Sequence, residues 1–410
     1  MNRTMVQAVA VTLATQTLAA IAIIAPAVLA PAAAVDLGVA PQAIGIFVAA
    51  AYLLAMLSGL AIGGLIAGLG SLRVCQLALV LCALGLVAGA PGWATLVPVA
   101  AILIGYGYGL VTPTSSHILA AATPRPMMAL IFSIKQTGVP IGGAIAGAVA
   151  PPLALAIGWQ WTLAVLAGAC VVAAVAMQPM RARFAAKPRE GEGSRRIPRA
   201  PRRSLARIGA PVRLVLATPA LRDLAVSSFV FAQVQLVVIT YLVPFLNLGL
   251  GLSLVTAGLI YSAAHAAGVV GRVVWGAIAD RLLAPRIVLA LLGVGSAACG
   301  LATAAATPTW PVGALVALGA AYGASAVGWN GVYLAEVARR APEGQVGAAT
   351  GGTQFFTFFG ALSGPPAFAA LVWATGGYQW GFAAFAVLPL AVGVRLIAAG
   401  RPAAGAGARA

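Results

Sequence analysis

Lys135 and Arg272 stand well inside long apolar stretches of the sequence, and no carboxylate lies at a matching depth. A cation in an apolar medium needs a countercharge, and where the chain supplies none a bound anion can. The chemistry expected of this pair is recognition of a small anion, with an organic carboxylate as the natural class. His265 sits near the middle of a further apolar stretch, and an imidazole can take up and release a proton near neutrality. Glu336, near the end of another, is a second candidate for that task. Gln16, Tyr106, Gln233, Tyr322 and Asn330 are polar side chains at the same depth, suited to contact a ligand. Tyr52, Tyr108, Gln235 and Trp329 belong to the same set. Tyr106 and Tyr108 are about 200° apart on a helix, as are Gln233 and Gln235, so at most one of each pair points inward.

Competing readings accompany these residues. Lys135 and Arg272 can snorkel to an interface, and His265 can be a neutral histidine hydrogen-bonded between helices. Lys135, Gly138 and Gly142 share one helical face, which offers either smooth backbone beside the ammonium or small-residue packing against a neighbour. Bond-making chemistry has little material. Seven acids and two histidines form no nucleophile constellation, and no cofactor is implied. Cys75, Cys82, Cys170 and Cys299 lack the paired short spacings of a metal or redox site and read as packing residues.

The elements that carry these residues follow from composition. Of 410 residues, 62% are hydrophobic and only 24 basic and 7 acidic side chains are present. Soluble domains carry about 25% charged residues, so a soluble fold is excluded and the solvent must be lipid. The net charge of +17 does not point to nucleic acid, because 12 of the 24 basic residues are confined between Arg181 and Arg222. The first apolar run, Thr4 to Val35, is too long for the core of a secretory signal and matches a full span.

Uncharged runs of 45 to 51 residues extend over Val74–Pro124, Gln136–Met180, Leu224–Gly271, Ile287–Ala335 and Gly344–Val394. Each is about twice the roughly 20 residues that one membrane helix needs. Turn residues divide them at Ala90-Pro91-Gly92, Pro151-Pro152 with Gly158, Asn247 to Gly251, Thr307-Pro308 and Gly376-Gly377. With a first pair split by Asp36 and closed at Arg73, the expectation is an all-α membrane protein of twelve spans. These lie at about 5–30, 41–66, 73–90, 94–120, 128–150, 157–178, 221–247, 254–278, 285–306, 309–337, 345–371 and 377–398. They group as an N-terminal six-helix bundle (1–178), a basic linker (179–220) read as a flexible tether, and a C-terminal bundle (221–410).

Lys and Arg fall at one end of this array, termed the basic end: Arg3, Arg73, Arg125, the central linker, Arg281 and Arg286, Arg339 and Arg340, and the tail. The six loops at the opposite end carry none. The positive-inside rule then places both termini and the linker in the cytoplasm. The halves also repeat. Gly45, Ala51, Gly63 and Arg73 correspond to Gly258, Ala264, Gly276 and Arg286 at an offset of 213, and Tyr106 to Tyr322 near 216. Parallel duplication of six helices is expected of an alternating-access carrier with its ligand between the repeats.

The segment Gly271 to Leu282, with Gly276-Ala277-Ile278-Ala279-Asp280-Arg281 at its centre and Arg286 downstream, resembles the loop signature of the major facilitator superfamily. The first-half copy departs from it at Ala67 and Gly68. Thr137 to Gly143 is similar to the Gly-Pro motif found in span 5 of the family's proton antiporters, and Arg272 occupies a place resembling that of the span 8 arginine of its monocarboxylate and oxalate carriers. No sugar-porter signature is present. The resemblance implies that spans 1, 4, 7 and 10 line the cavity and that Asp280, Arg281 and Arg286 form a gate between the halves at the cytoplasmic side. The function expected is secondary transport of a small organic anion across the inner membrane, coupled to protons or by exchange. Proton-driven efflux of lipophilic drugs or metabolites is the alternative. Substrate, membrane lipid and protons are the partners expected of a monomer.

Overall fold

A computed structural model describes residues 3–124, 127–181, 210–343 and 345–398. All regular structure among them is helical, and twelve segments are long and apolar enough to cross a membrane. Spans 1 to 4 are Arg3–Leu37, Ile44–Leu69, Ser71–Gly89 and Val97–Ala122, and span 6 is Trp159–Ala176. Spans 7 to 9 are Pro219–Pro244, Leu254–Arg281 and Pro285–Ala305, and spans 11 and 12 are Val346–Thr375 and Tyr378–Ala398. Spans 5 and 10 are broken: Met128–Gln136 is followed by Gly138–Ile157, and Val312–Ala326 by Asn330–Arg340.

Three expectations change. Pro151 and Pro152 lie inside a continuous helix, and the turn falls at Gly158, whose φ of 85° suits glycine. Prolines persist inside membrane helices because neighbouring groups satisfy the carbonyls they free. Asp36, expected in a loop, belongs to the last turn of span 1. The linker ends in a helix, Ala210–Ala217, not a tether: Val215 is buried, and Gly352 of span 11 leaves room for the Pro211 carbonyl. The rest of the linker, 182–209, lies outside the described residues.

Small residues set the packing within each half, as expected where lipid removes the hydrophobic drive between helices. Gly105 of span 4 sits on Ala51 of span 2, and Gly323 of span 10 on Ala264 of span 8. Ala51 and Ala264 are repeat partners, so the duplication is visible as the same contact. Gly105 and Gly323 are 218 residues apart, however, which replaces the offset of 216 and removes the equivalence of Tyr106 and Tyr322. The four cysteines are free, three of them buried in packing positions.

The halves meet along spans 1 and 7, 2 and 11, and 5 and 8. Gly147 faces Gly258, and the Ser262 hydroxyl donates to the Ala144 carbonyl at 2.7 Å. At the non-basic end the Tyr241 hydroxyl lies 3.0 Å from the Gln42 carbonyl and 2.9 Å from that of Pro365. The outlying segments Met128–Gln136 and Asn330–Arg340 pack on spans of their own halves.

Candidate functional site

The breaks of both spans meet Arg272, and Lys135 immediately precedes the first. Pro140 has no N–H, so the carbonyl four residues earlier, Gln136, loses its helical partner. Thr137 turns back to Ile134 (3.1 Å) and the helix resumes with Ile141 donating to Thr137 (3.0 Å). Arg272 Nη1 fills the gap, donating to the Gln136 carbonyl at 2.8 Å, while its Nε donates to the Val327 carbonyl in the break of span 10 at 3.1 Å. One guanidinium thus joins span 8 to a break in each half. Trp275 Nε1 donates to Ala324 just before the second break.

Lys135, adjacent to Gln136, is buried at 1% exposure. Its ammonium donates to the Thr112 carbonyl of span 4 at 3.2 Å, and the Thr112 hydroxyl lies 3.4 Å from Gln16 Oε1. Gln16 Nε2 is buried without a partner among the described residues. Neither Lys135 nor Arg272 forms an ion pair among the described residues, and the partners found for both are neutral carbonyls. Gly138 and Gly142 are filled by Gln16, Thr17 and Ala20 of span 1, so this glycine face serves packing.

His265 lies on the same face of span 8 as Arg272, seven residues earlier. It is buried, stacks on Tyr261 at 4.5 Å, and has no partner for either ring nitrogen among the described residues. Its ring presses on Gly143 of span 5, across the boundary between halves. The rings of Tyr52 and Tyr108 are 5.8 Å apart.

The choice within each pair of polar residues differs from expectation. Tyr108, not Tyr106, is the span 4 tyrosine that meets Tyr52 of span 2, and it shares a face with Thr112 four residues on. Tyr106 is half-buried without a hydrogen bond among the described residues. Gln233 donates to Ser363 of span 11 (3.0 Å) and packs on Gly364, whereas Gln235 accepts from Trp329 Nε1 (3.0 Å) and Asn330 Nδ2 (3.3 Å) at the break of span 10. Tyr322 points its hydroxyl at Gly300 of span 9, into its own half. The local spacing of Tyr108 with Thr112 was the available signal; nothing local distinguishes Gln235 from Gln233.

At the basic end Glu336 is occupied by Arg340 (2.9 Å) and Arg339 (3.3 Å). Asp280 and Arg281 are exposed, and Asp280 has no partner among the described residues. Arg286, expected in the gate with Asp280, donates instead to the Leu396 carbonyl of span 12 at 2.6 Å, because it enters span 9 facing the end of span 12.

This architecture of two duplicated six-helix bundles, with polar groups gathered between them, is that of a membrane carrier. The family model of the Major Facilitator Superfamily matches residues 12–341, and the chain belongs to that family. It is a secondary carrier and not an enzyme. A bacterial homologue of the human lysosomal transporter Spinster, in an inward-facing unoccupied conformation, superposes with a TM-score of 0.70 at 14% identity, covering 97% of this chain and 96% of that one. The peptide transporter POT in complex with sulfate gives 0.72 at 18% identity over 96% and 94%. A point mutant of the nucleoside transporter NupG gives 0.75 at 14% over 95% and 100%. No curated protein matches the sequence.

Proposed function

We propose that this carrier moves a small organic anion, a carboxylate, across the inner membrane with both termini in the cytoplasm, coupled to protons or by exchange. The observation that carries the reading is that two buried cations flank the break of span 5, Lys135 just before it and Arg272 on its Gln136 carbonyl, with only carbonyl partners among the described residues. A carboxylate between them exchanges weak neutral acceptors for charge-assisted hydrogen bonds. Gln16, with an unused amide donor, is linked to Lys135 through Thr112, and Asn330 after the break of span 10 holds Gln235 of span 7. His265 is the proton carrier of this reading, since Glu336 is engaged by two arginines. Asp280, with Arg281, acts when the basic end closes and finds a facing helix N-terminus.

Proteoliposomes preloaded with unlabelled carboxylates and assayed for uptake of labelled ones test this. Lys135→Ala and Arg272→Ala are each expected to lower uptake at least a hundredfold in protein that still folds, with a lower melting temperature for Arg272→Ala, which frees the Gln136 and Val327 carbonyls. Unchanged carboxylate uptake in both variants, or movement of lipophilic compounds in place of carboxylates, would overturn it.

A further inference from the structure

A cavity of about 360 Å³ opens at the non-basic end of the N-terminal half, away from Lys135 and Arg272. Spans 1, 2, 3 and 4 and the start of span 6 wall it with side chains such as Leu29, Phe47, Leu86, Ile104 and Leu163. An apolar cavity of less than half this size, about 150 Å³, is enough to take up a hydrocarbon ligand. Two lining residues, Val39 and Ile46, are 41% and 53% exposed, so the mouth is at the surface of the bundle.

The rim is not apolar. Trp159 lines the cavity and its Nε1 donates to Asp36 Oδ2 at 2.7 Å; Gln160 Nε2 donates to the same oxygen at 3.1 Å. Asp36 Oδ1 has no partner among the described residues, and Asp36 forms no ion pair among them. In the sequence Asp36 is the single charged side chain at this end of the bundle. It lies in the last turn of span 1, where the helix dipole adds negative potential of its own. A pocket lined by hydrocarbon with an uncompensated carboxylate at its lip matches an amphipathic cation.

We propose that this cavity binds a lipophilic ammonium compound, its chain among spans 1 to 4 and its head at Asp36. The site is separate from the carrier's central site and does not depend on which substrate that site takes. It has a mechanical neighbour: Pro41 and Ile44, which line it, flank Gln42, whose carbonyl meets Tyr241 of the other half. An occupant therefore sits against the segment that ties the halves together at this end.

The test uses the full chain in maltoside detergent micelles and two probes of equal chain length with bromine near the head, 3-bromodecyl-trimethylammonium and 3-bromodecan-1-ol. Bromine quenches nearby tryptophan, and Trp159 lines the cavity. The ammonium is expected to quench saturably at concentrations at least tenfold below the alkanol, with the saturable component lost in Trp159→Phe. Asp36→Asn should weaken the ammonium about tenfold and leave the alkanol unchanged. Ala101→Phe, which fills the cavity, should abolish both. Equal binding of the two probes, an Asp36→Asn variant that retains full ammonium affinity, or saturable quenching that survives both Trp159→Phe and Ala101→Phe would overturn the proposal.

Discussion

Gly143 shows how far one hydrogen atom decides the centre of this carrier. A Cβ there would lie 2.3 Å from His265 Nδ1 and 2.7 Å from Cγ, inside the contact between spans 5 and 8. Gly143→Ala is expected to destabilise the protein by about 1–3 kcal/mol through overpacking, read as a lowered melting temperature in detergent. Adding His265→Ala should restore most of the loss, since the clash is with that ring; no recovery would place the strain in the backbone. The glycine spacing was legible in the sequence, but its partner was not, because His265 reaches it from a helix more than a hundred residues away.

Span 5 carries the element-scale consequence. An interior proline costs a soluble helix about 3 kcal/mol or more, and Pro140 is retained where the Gln136 carbonyl it frees is taken by Arg272. Pro140→Ala restores an N–H able to close the helix on Gln136 and so competes with Arg272. The expected result has opposite signs: stability rises by about 1–2 kcal/mol in thermal melts, while carboxylate uptake falls at least tenfold. A variant with unaltered uptake would show that the break is only a bend. The sequence displayed the proline and the arginine as separate features, and their union required the crossing of spans 5 and 8.

At the scale of the whole molecule, the transport proposed here requires the two halves to rock against each other. Tyr241 is the contact to examine. Its hydroxyl reaches Gln42 of one half and Pro365 of the other, and Gly45 leaves the space it occupies. A hydrogen bond of this kind is worth about 0.5–1.5 kcal/mol, so Tyr241→Phe should shift the closed population at the non-basic end roughly two- to tenfold. Gly45→Ala should shift it further, because its Cβ would come within 2.7 Å of the Pro365 backbone carbonyl. Spin labels at Val35 and Leu248, exposed on opposite halves at that end, report the opening as a longer distance. Identical distance distributions in both variants and wild type would remove Tyr241 from the closure.

What the sequence determined by itself follows from the solvent. Apolar runs of twice a membrane thickness, turns between them and basic residues at one end leave an array of twelve helices as the sole economical arrangement, since lipid tolerates no unpaired backbone. The duplication and the two buried cations were equally plain. Side-chain choice was not. Tyr108 and Tyr106, or Gln235 and Gln233, differ by two residues on helices apolar all round, where no polar face marks which side turns inward. Tertiary contact decided them, as it decided that Arg272 serves two helix breaks and that Arg286 turns from Asp280 to Leu396. The partners of these groups come from distant spans, and only the angles at which small residues let those spans cross bring them within hydrogen-bond reach.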